Sequence, residues 1–229
     1  MKNYVIIVAG GTGTRMGADK PKQFLEISQK PVLIHTICRF TEALPDIEIV
    51  IVTHSKWKKY TQNLLQEYLP DISSKIILVT GGETRFQSVK NGIKALKNAP
   101  DGYVAVHDSV RCCIKPSDIQ KSFEIAVKER NCLVCTVLKE SIRKINGTIT
   151  HAVPRSEYLI VQTPQIFTLQ DMKNVYLQHQ ETEANSITDD ASLMENYGHT
   201  IHTFLIDDHN IKITTPQDLI LAEYLLSKI

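Results

Sequence analysis

Over the first two-thirds of the chain, short apolar runs alternate with stretches whose apolar residues recur at helical spacing, and few folds accommodate that rhythm. Strand-like runs occupy Tyr4 to Val8, Glu48 to Thr53, Ile76 to Thr80, Tyr103 to His107 and Leu133 to Val137. Helical patterns fill the intervals at Pro31 to Ala43, Trp57 to Leu69, Arg85 to Leu96 and Ser117 to Glu129. Parallel strands need long crossovers, which helices supply, so this repetition predicts an α/β protein with a largely parallel sheet and helices on both faces. Ligands of such sheets sit beyond the carboxyl ends of the strands, which makes every post-strand segment a place to look for chemistry. No internal repeat or low-complexity linker interrupts the 229 residues, a length that buries a substantial core, and a single domain is expected.

The first post-strand segment carries the most information. Val5-Ile6-Ile7-Val8-Ala9 runs into Gly10-Gly11-Thr12-Gly13-Thr14-Arg15-Met16-Gly17, and Lys20-Pro21-Lys22-Gln23 follows. Glycines let backbone amides approach a ligand closely, and a loop of free N–H groups backed by Arg15 and Lys22 is an anion cradle. It is not a P-loop, because no Lys-Ser/Thr pair follows its last glycine. Nor is it a dinucleotide fingerprint, because Gly11-x-Gly13 is followed by Thr14, Arg15 and Met16 instead of a third glycine at the required spacing. A nucleotide triphosphate is the expected anion.

Charge composition narrows the partners. Lys and Arg total 26 against 25 Asp and Glu, so the basic excess expected of a general nucleic-acid binder is missing. No apolar run approaches the roughly 20 residues that cross a bilayer, and the first strand begins without a signal-peptide pattern before it. A cytoplasmic protein with no membrane partner is expected. The five cysteines are an odd number and read as thiols, not as a secreted disulfide framework. Cys132 and Cys135 have metal-ligand spacing, but strand alternation sends them to opposite faces, so no metal site is assigned to them.

Further post-strand segments carry polar chemistry. Gly81-Gly82-Glu83-Thr84-Arg85 opens a helix bearing Ser88 and suits a base, a ribose or a phosphate. Asp108-Ser109-Val110-Arg111 places a carboxylate among cations, as a hydroxyl or metal ligand. Ile187-Thr188-Asp189-Asp190 reads either as a ligand segment or as a helix cap, which Thr and Asp favour. Asn210-Ile211-Lys212-Ile213-Thr214 places a lysine in a β-rich segment, on the face opposite Ile211 and Ile213. His107, at the end of a buried strand, reads as a satisfied core histidine. Asn146-Gly147 between β-formers signals a hairpin that either folds back on its own sheet or projects as an arm. Thr215, Pro216 and Asp218 mark the start of a closing helix.

Taken in order, these segments resemble the 2-C-methyl-D-erythritol 4-phosphate cytidylyltransferase family across essentially the whole chain. The resemblance rests on Ala9-Gly-Gly-x-Gly-x-Arg15-Met16, Pro21-Lys22-Gln23, Gly81-Gly82-x-x-Arg85, His107-Asp108-x-x-Arg111, Thr163-Pro164-Gln165, Ile187-Thr188-Asp189 and Asn210-Ile211-Lys212. It implies a Rossmann-like nucleotidyltransferase sandwich of three layers with a protruding β-hairpin arm. It also implies transfer of CMP from CTP to a sugar-alcohol phosphate with Mg²⁺ carried mainly on the CTP phosphates. By the same resemblance, Gly10, Gly11 and Gly13 wrap the triphosphate, with Arg15 and Lys22 on its phosphates. Gly82, Glu83 and Ser88 face the cytosine, and Asp108, Arg111, Thr188 and Lys212 serve the acceptor. The arm, at about 139–156, is expected to reach a second subunit of a homodimer and present Ser141 and Arg155 to its acceptor.

Departures from the family pattern fall on the acceptor side. Glu140-Ser141 stands where Asp-Thr is usual, Ser109 follows Asp108, and Cys112 follows Arg111. Ribitol-5-phosphate cytidylyltransferases share most of the markers and are the alternative; a nucleotide-binding paralogue without activity is a more distant one. The compact loop from Met16 to Lys22 and the run Thr188-Asp189-Asp190-Ala191-Ser192 favour the methylerythritol phosphate acceptor.

Overall fold

The structure, a computed structural model, describes residues 1–11, 20–179 and 187–229. The chain opens with strand β1 (Lys2–Ala9) and a small β2–β3 pair (Glu26–Ile27, Lys30–Pro31) before α1 (Val32–Ala43). Next come β4 (Glu48–Thr53), α2 (Lys58–Tyr68), the single turn α3 (Pro70–Ser73), β5 (Ile77–Thr80) and α4 (Arg85–Ala95). Strand β6 (Gly102–Asp108), α5 (Pro116–Glu129) and β7 (Asn131–Val137) complete the alternating portion. The remainder comprises β8 (Arg143–Asn146), β9 (Ile149–Ala152), β10 (Leu159–Thr168), α6 (Leu169–Gln178), α7 (Asp190–Asn196), β11 (Thr203–Leu205) and α8 (Pro216–Leu226).

The central sheet has seven strands in the order β11-β7-β10-β6-β1-β4-β5. Six point the same way; β10 alone runs antiparallel, wedged between β6 and β7. Its ladder to β7 breaks between Val161 and Gln165, and Pro164 lies in that break, where a residue without an N–H does least harm. Strands buried on both sides need apolar residues on both sides, and β1 shows how the sequence supplies them. Val5, Ile7 and Ala9 pack with Leu33, Ile37 and Phe40 of α1 and Phe123 of α5. Tyr4 and Ile6 pack with Val89 and Ile93 of α4 and Met172 of α6. Cys132 and Cys135 fall into opposite clusters, as alternation requires. Gly92 lets α4 seat closely, since a Cβ there would sit 2.8 Å from Ile6.

The helix over Pro216–Leu226 begins with the expected capping box of Thr215 and Asp218. Around Asn146-Gly147 the hairpin forms with Gly147 at φ +62°. Strands β8 and β9 pair only with each other, and all eight of their residues are exposed, so the hairpin stands off the sheet. One expectation fails: residues 210–214 form no strand. Strand β6 is already flanked by β1 and β10, so the segment finds no free ladder there and contributes one backbone bond, Ile213 N–H to Val110 O at 3.0 Å. Ile213 is buried while Lys212 is exposed, so the two residues still point apart.

Candidate active site

The first wall of the site is the end of β1. Gln23 sits in a helical turn (Lys22–Phe24) and is buried; its Nε2 donates to Ala9 O at 2.8 Å and Gly11 O at 3.0 Å. Those bonds take up the carbonyls that flank Gly10. The turn itself is seated by Phe24, whose ring lies 5.3 Å from that of Trp57 and 5.1 Å from that of Tyr60. Lys22 is thereby fixed next to the glycines. A Cβ on Gly11 would meet nothing within 4 Å, so its missing side chain leaves room for a ligand. Gly13 and Arg15 lie outside the described residues.

The second wall is the entry to α4. Thr84 caps the helix by accepting from Gln87 N–H at 3.1 Å, Gly82 N–H donates to Ser88 Oγ at 3.2 Å, and Glu83 N–H donates to Gln87 Oε1 at 2.8 Å. A Cβ on Gly82 would lie 2.3 Å from Gln87 Cβ, so this glycine is required by the loop itself, whatever binds beside it. Gly10, Gly11, Lys22, Gly82, Glu83, Ser88, Asp108 and Lys212 line one concavity.

At the end of β6 lies the densest charge. The Asp108 carboxylate is 2.9 Å from Lys212 Nζ, 3.4 Å from Arg111 Nε and 4.0 Å from Arg85 Nε. Burial alone pushes this carboxyl up; Lys212, Arg85 and Arg111 overcome it and hold the group well below the usual carboxylate range. Its backbone N–H donates to Thr163 Oγ1 at 3.1 Å, which ties β6 to β10. Arg111 also donates to Asn210 O at 2.8 Å, while the Asn210 amide donates to Gln162 Oε1 at 2.8 Å and Thr163 O at 2.9 Å. Lys212 is thus placed by its neighbour Asn210, which is buried. His107 is wholly buried, its Nε2 3.1 Å from Arg111 O, and burial lowers it to about 4: a neutral core imidazole at neutral pH, in the core as expected but only half satisfied, since its buried Nδ1 has no hydrogen-bond partner.

A second concavity lies on the far side of this cluster. Asp108, Arg111, Thr188 and Lys212 line it together with Gln162 and Thr163. Arg85, Asp108 and Lys212 belong to both concavities, so the ion cluster is their common wall. Ser141 and Arg155 line neither; both are exposed, and Arg155 donates to the backbone carbonyl of Lys139 near the base of the hairpin. At Ile187-Thr188-Asp189-Asp190 the helix cap forms. Asp189 caps α7 by accepting from Ser192 N–H at 3.0 Å, and Thr188 faces the second concavity.

Three positions at the site carry no role in the sequence motifs taken one by one. Arg85 was visible only as part of the glycine motif, Asp190 only as a neighbour of a cap, and Gln165 only within Thr-Pro-Gln. Gln165 donates to Asp189 at 3.0 Å and accepts from Ala191 N–H at 2.8 Å, joining β10 to α7. Only Gln165 carries a local signal, a polar residue between apolar neighbours of a strand, which demands a partner.

A mainly parallel sheet carrying a glycine-edged, cation-lined double cleft beyond its carboxyl ends places the chain in the Rossmann-like nucleotidyltransferase class. Residues 3–228 match the family described as IspD, 2-C-methyl-D-erythritol 4-phosphate cytidylyltransferase, and the chain belongs to that family. A relative of that name from Bacteroides thetaiotaomicron is 40% identical over 226 residues, spanning 99% of this chain and 100% of the relative. One from Porphyromonas gingivalis is 40% identical over 230 residues, spanning 99% and 98%. Among solved structures, the Francisella tularensis 2-C-methyl-D-erythritol 4-phosphate cytidylyltransferase superposes with a TM-score of 0.81 at 28% identity, covering 98% of this chain and 100% of that one.

Proposed function

We propose that this chain transfers the cytidylyl group of CTP to the phosphate of 2-C-methyl-D-erythritol 4-phosphate, releasing pyrophosphate and forming 4-diphosphocytidyl-2-C-methyl-D-erythritol. The observation that carries the reading is the shared wall. The carboxylate of Asp108 and the cations of Arg85 and Lys212, with Arg111 on the far side, separate a glycine-edged concavity, suited to a nucleoside triphosphate, from a polar concavity suited to a small polyol phosphate.

The chemistry follows from charge. An acceptor phosphate monoester is largely dianionic near neutral pH, its second pKa being about 6, so no general base is needed. One of its oxygens attacks the α-phosphorus of CTP, a P–O bond forms, and the α–β bridge breaks to release pyrophosphate. The obstacle is the approach of two anions, which positioned cations remove. Gly10, Gly11 and Gly13 present N–H groups to the triphosphate, Arg15 and Lys22 its counter-charge, and Gly82, Glu83 and Ser88 the edge for the base. Asp108 accepts from acceptor hydroxyls, with Arg111, Thr188 and Lys212 beside it. Among the described residues, no three His, Cys, Asp or Glu side chains cluster as metal ligands, and Asp108 is already paired with cations. These residues fit Mg²⁺ delivered on the triphosphate. When bound there, the ion supplies further neutralisation of the phosphates.

The arm completes the proposal. Ile145 and Ile149 are 74% and 67% exposed on it, and Tyr158, Leu159, Ile160 and Val161 are exposed at the start of β10. An apolar edge of this kind supports docking against a second copy, with Ser141 and Arg155 serving the partner's acceptor. Among the described residues no helix is long and apolar enough to cross a membrane. The test is pyrophosphate release from CTP with Mg²⁺, offering methylerythritol phosphate and ribitol-5-phosphate separately. Preference for the first supports the reading; preference for the second moves the acceptor, and release with neither overturns it. Light scattering that finds only a monomer would remove the arm's role.

A further inference from the structure

Asp190 is a buried carboxylate at the first position of α7, with no exposed surface. Two other helices converge on it. Its Oδ2 lies 2.7 Å from Arg85 Nη2, from the first residue of α4, and its Oδ1 accepts from the Tyr176 hydroxyl of α6 at 2.5 Å. Tyr176 is itself fixed, fully buried and stacked on Phe86 with ring centres 5.1 Å apart and planes 13° from parallel. On the other side, α7 is anchored to β10 through Asp189 and Gln165 at 3.0 Å. A buried charge is tolerated only when paired and hydrogen-bonded, and this one has both.

The consequence falls on Arg85. Its guanidinium spends its close contact on Asp190, while its Nε stays 4.0 Å from Asp108, longer than a hydrogen bond. The side chain is still 31% exposed and borders both concavities. Arg85 is therefore a cation held from behind, with an edge left over for an incoming anion. We propose that Asp190, with Tyr176 behind it, is a positioning residue that fixes Arg85 in the wall between the two concavities for the acceptor phosphate. This rests on the cytidylyl-transfer reading and deepens it. Preorganisation is the gain, since an untethered arginine would lose rotamer entropy each time the acceptor bound.

The test is steady-state pyrophosphate release by wild type, Asp190→Asn, Arg85→Gln and the double variant, with CTP affinity measured by calorimetry. Asp190→Asn keeps the shape and removes the charge. Acceptor kcat/KM should fall roughly 10- to 100-fold, the range for losing a charge-assisted hydrogen bond, while CTP affinity stays within about threefold. In the Arg85→Gln background the same change should cost no more than about twofold, because Asp190 acts through Arg85. Costs that multiply, or an Asp190→Asn enzyme within twofold of wild type, would overturn the proposal. Should Asp190→Asn fail to fold, Tyr176→Phe carries the same test with a smaller loss in the same direction. A wild-type chain that releases no pyrophosphate defeats both the function and this inference; an active wild type that is indifferent to Asp190 defeats only the inference.

Discussion

Asp108→Asn probes the charge cluster most directly, because it removes one negative charge from among three cations and changes almost no volume. At an effective dielectric constant near 20, contacts of 2.9, 3.4 and 4.0 Å give a gross attraction on the order of 15 kcal/mol. Desolvation of buried groups cancels most of that, and breaking a buried pair typically costs about 3–5 kcal/mol. Lys212, 45% exposed, can turn to water once Asp108 is neutral, which puts the loss near the lower end, about 3 kcal/mol. In a chain of 229 residues that corresponds to a fall in Tm of roughly 6–12 °C. The pH dependence supplies the sharper check. The folded carboxyl is depressed, so its contribution is complete above the unfolded value of about 4 and is lost as pH falls below it. Urea unfolding of wild type and variant should show a constant gap from pH 7 to pH 5 that narrows toward pH 3. A gap that ignores pH, or a loss below about 1 kcal/mol at pH 7, would mean the cluster is not held by charge.

Three further outcomes follow from the site and the core. Lys22→Ala should lower the single-turnover rate roughly 10²–10³-fold, the cost of losing one positioned donor to developing charge, and near-normal turnover would sink its assigned role. Arg155→Ala should raise KM for the acceptor at least about tenfold and leave CTP heats unchanged; lost CTP affinity in the calorimeter would contradict an acceptor role. His107, lowered to about 4 by burial, contributes stability that is complete above its unfolded pKa near 6.5 and is lost as pH falls from there through 4. His107→Gln should therefore flatten the stability curve over that window by about 3 kcal/mol, and denaturant titrations with an unchanged slope would refute it.

The parts of the fold that were legible in the sequence are those whose periodicity coincides with burial. Strands β1, β4, β6 and β7 sit between two helical layers, so they read as continuous apolar runs and their ends are where the glycines and charges begin. Strand β10 was not legible. Its first three residues are exposed, and Pro164 interrupts it at the register break, so neither alternation nor a continuous run survives. The segment around Lys212 failed for the opposite reason: its alternation is genuine, but strands already occupy both sides of the neighbouring β6.

The site divides along the same line. Gly10, Lys22, Gly82 and Asp108 each announce themselves locally, because a strand end followed by glycine or charge is unusual within a short window. What joins them is not local. Arg85 and Asp190 are 105 residues apart, and Asp108 draws its cations from α4, from its own loop and from residue 212. Pairing across such distances is decided by which elements the sheet order makes neighbours. Inserting β10 beside β6 brings Thr163 to the Asp108 backbone and Gln162 and Thr163 to Asn210, and so carries Lys212 to the carboxylate. The antiparallel strand that sequence periodicity conceals is therefore the element that assembles the charges that sequence chemistry reveals.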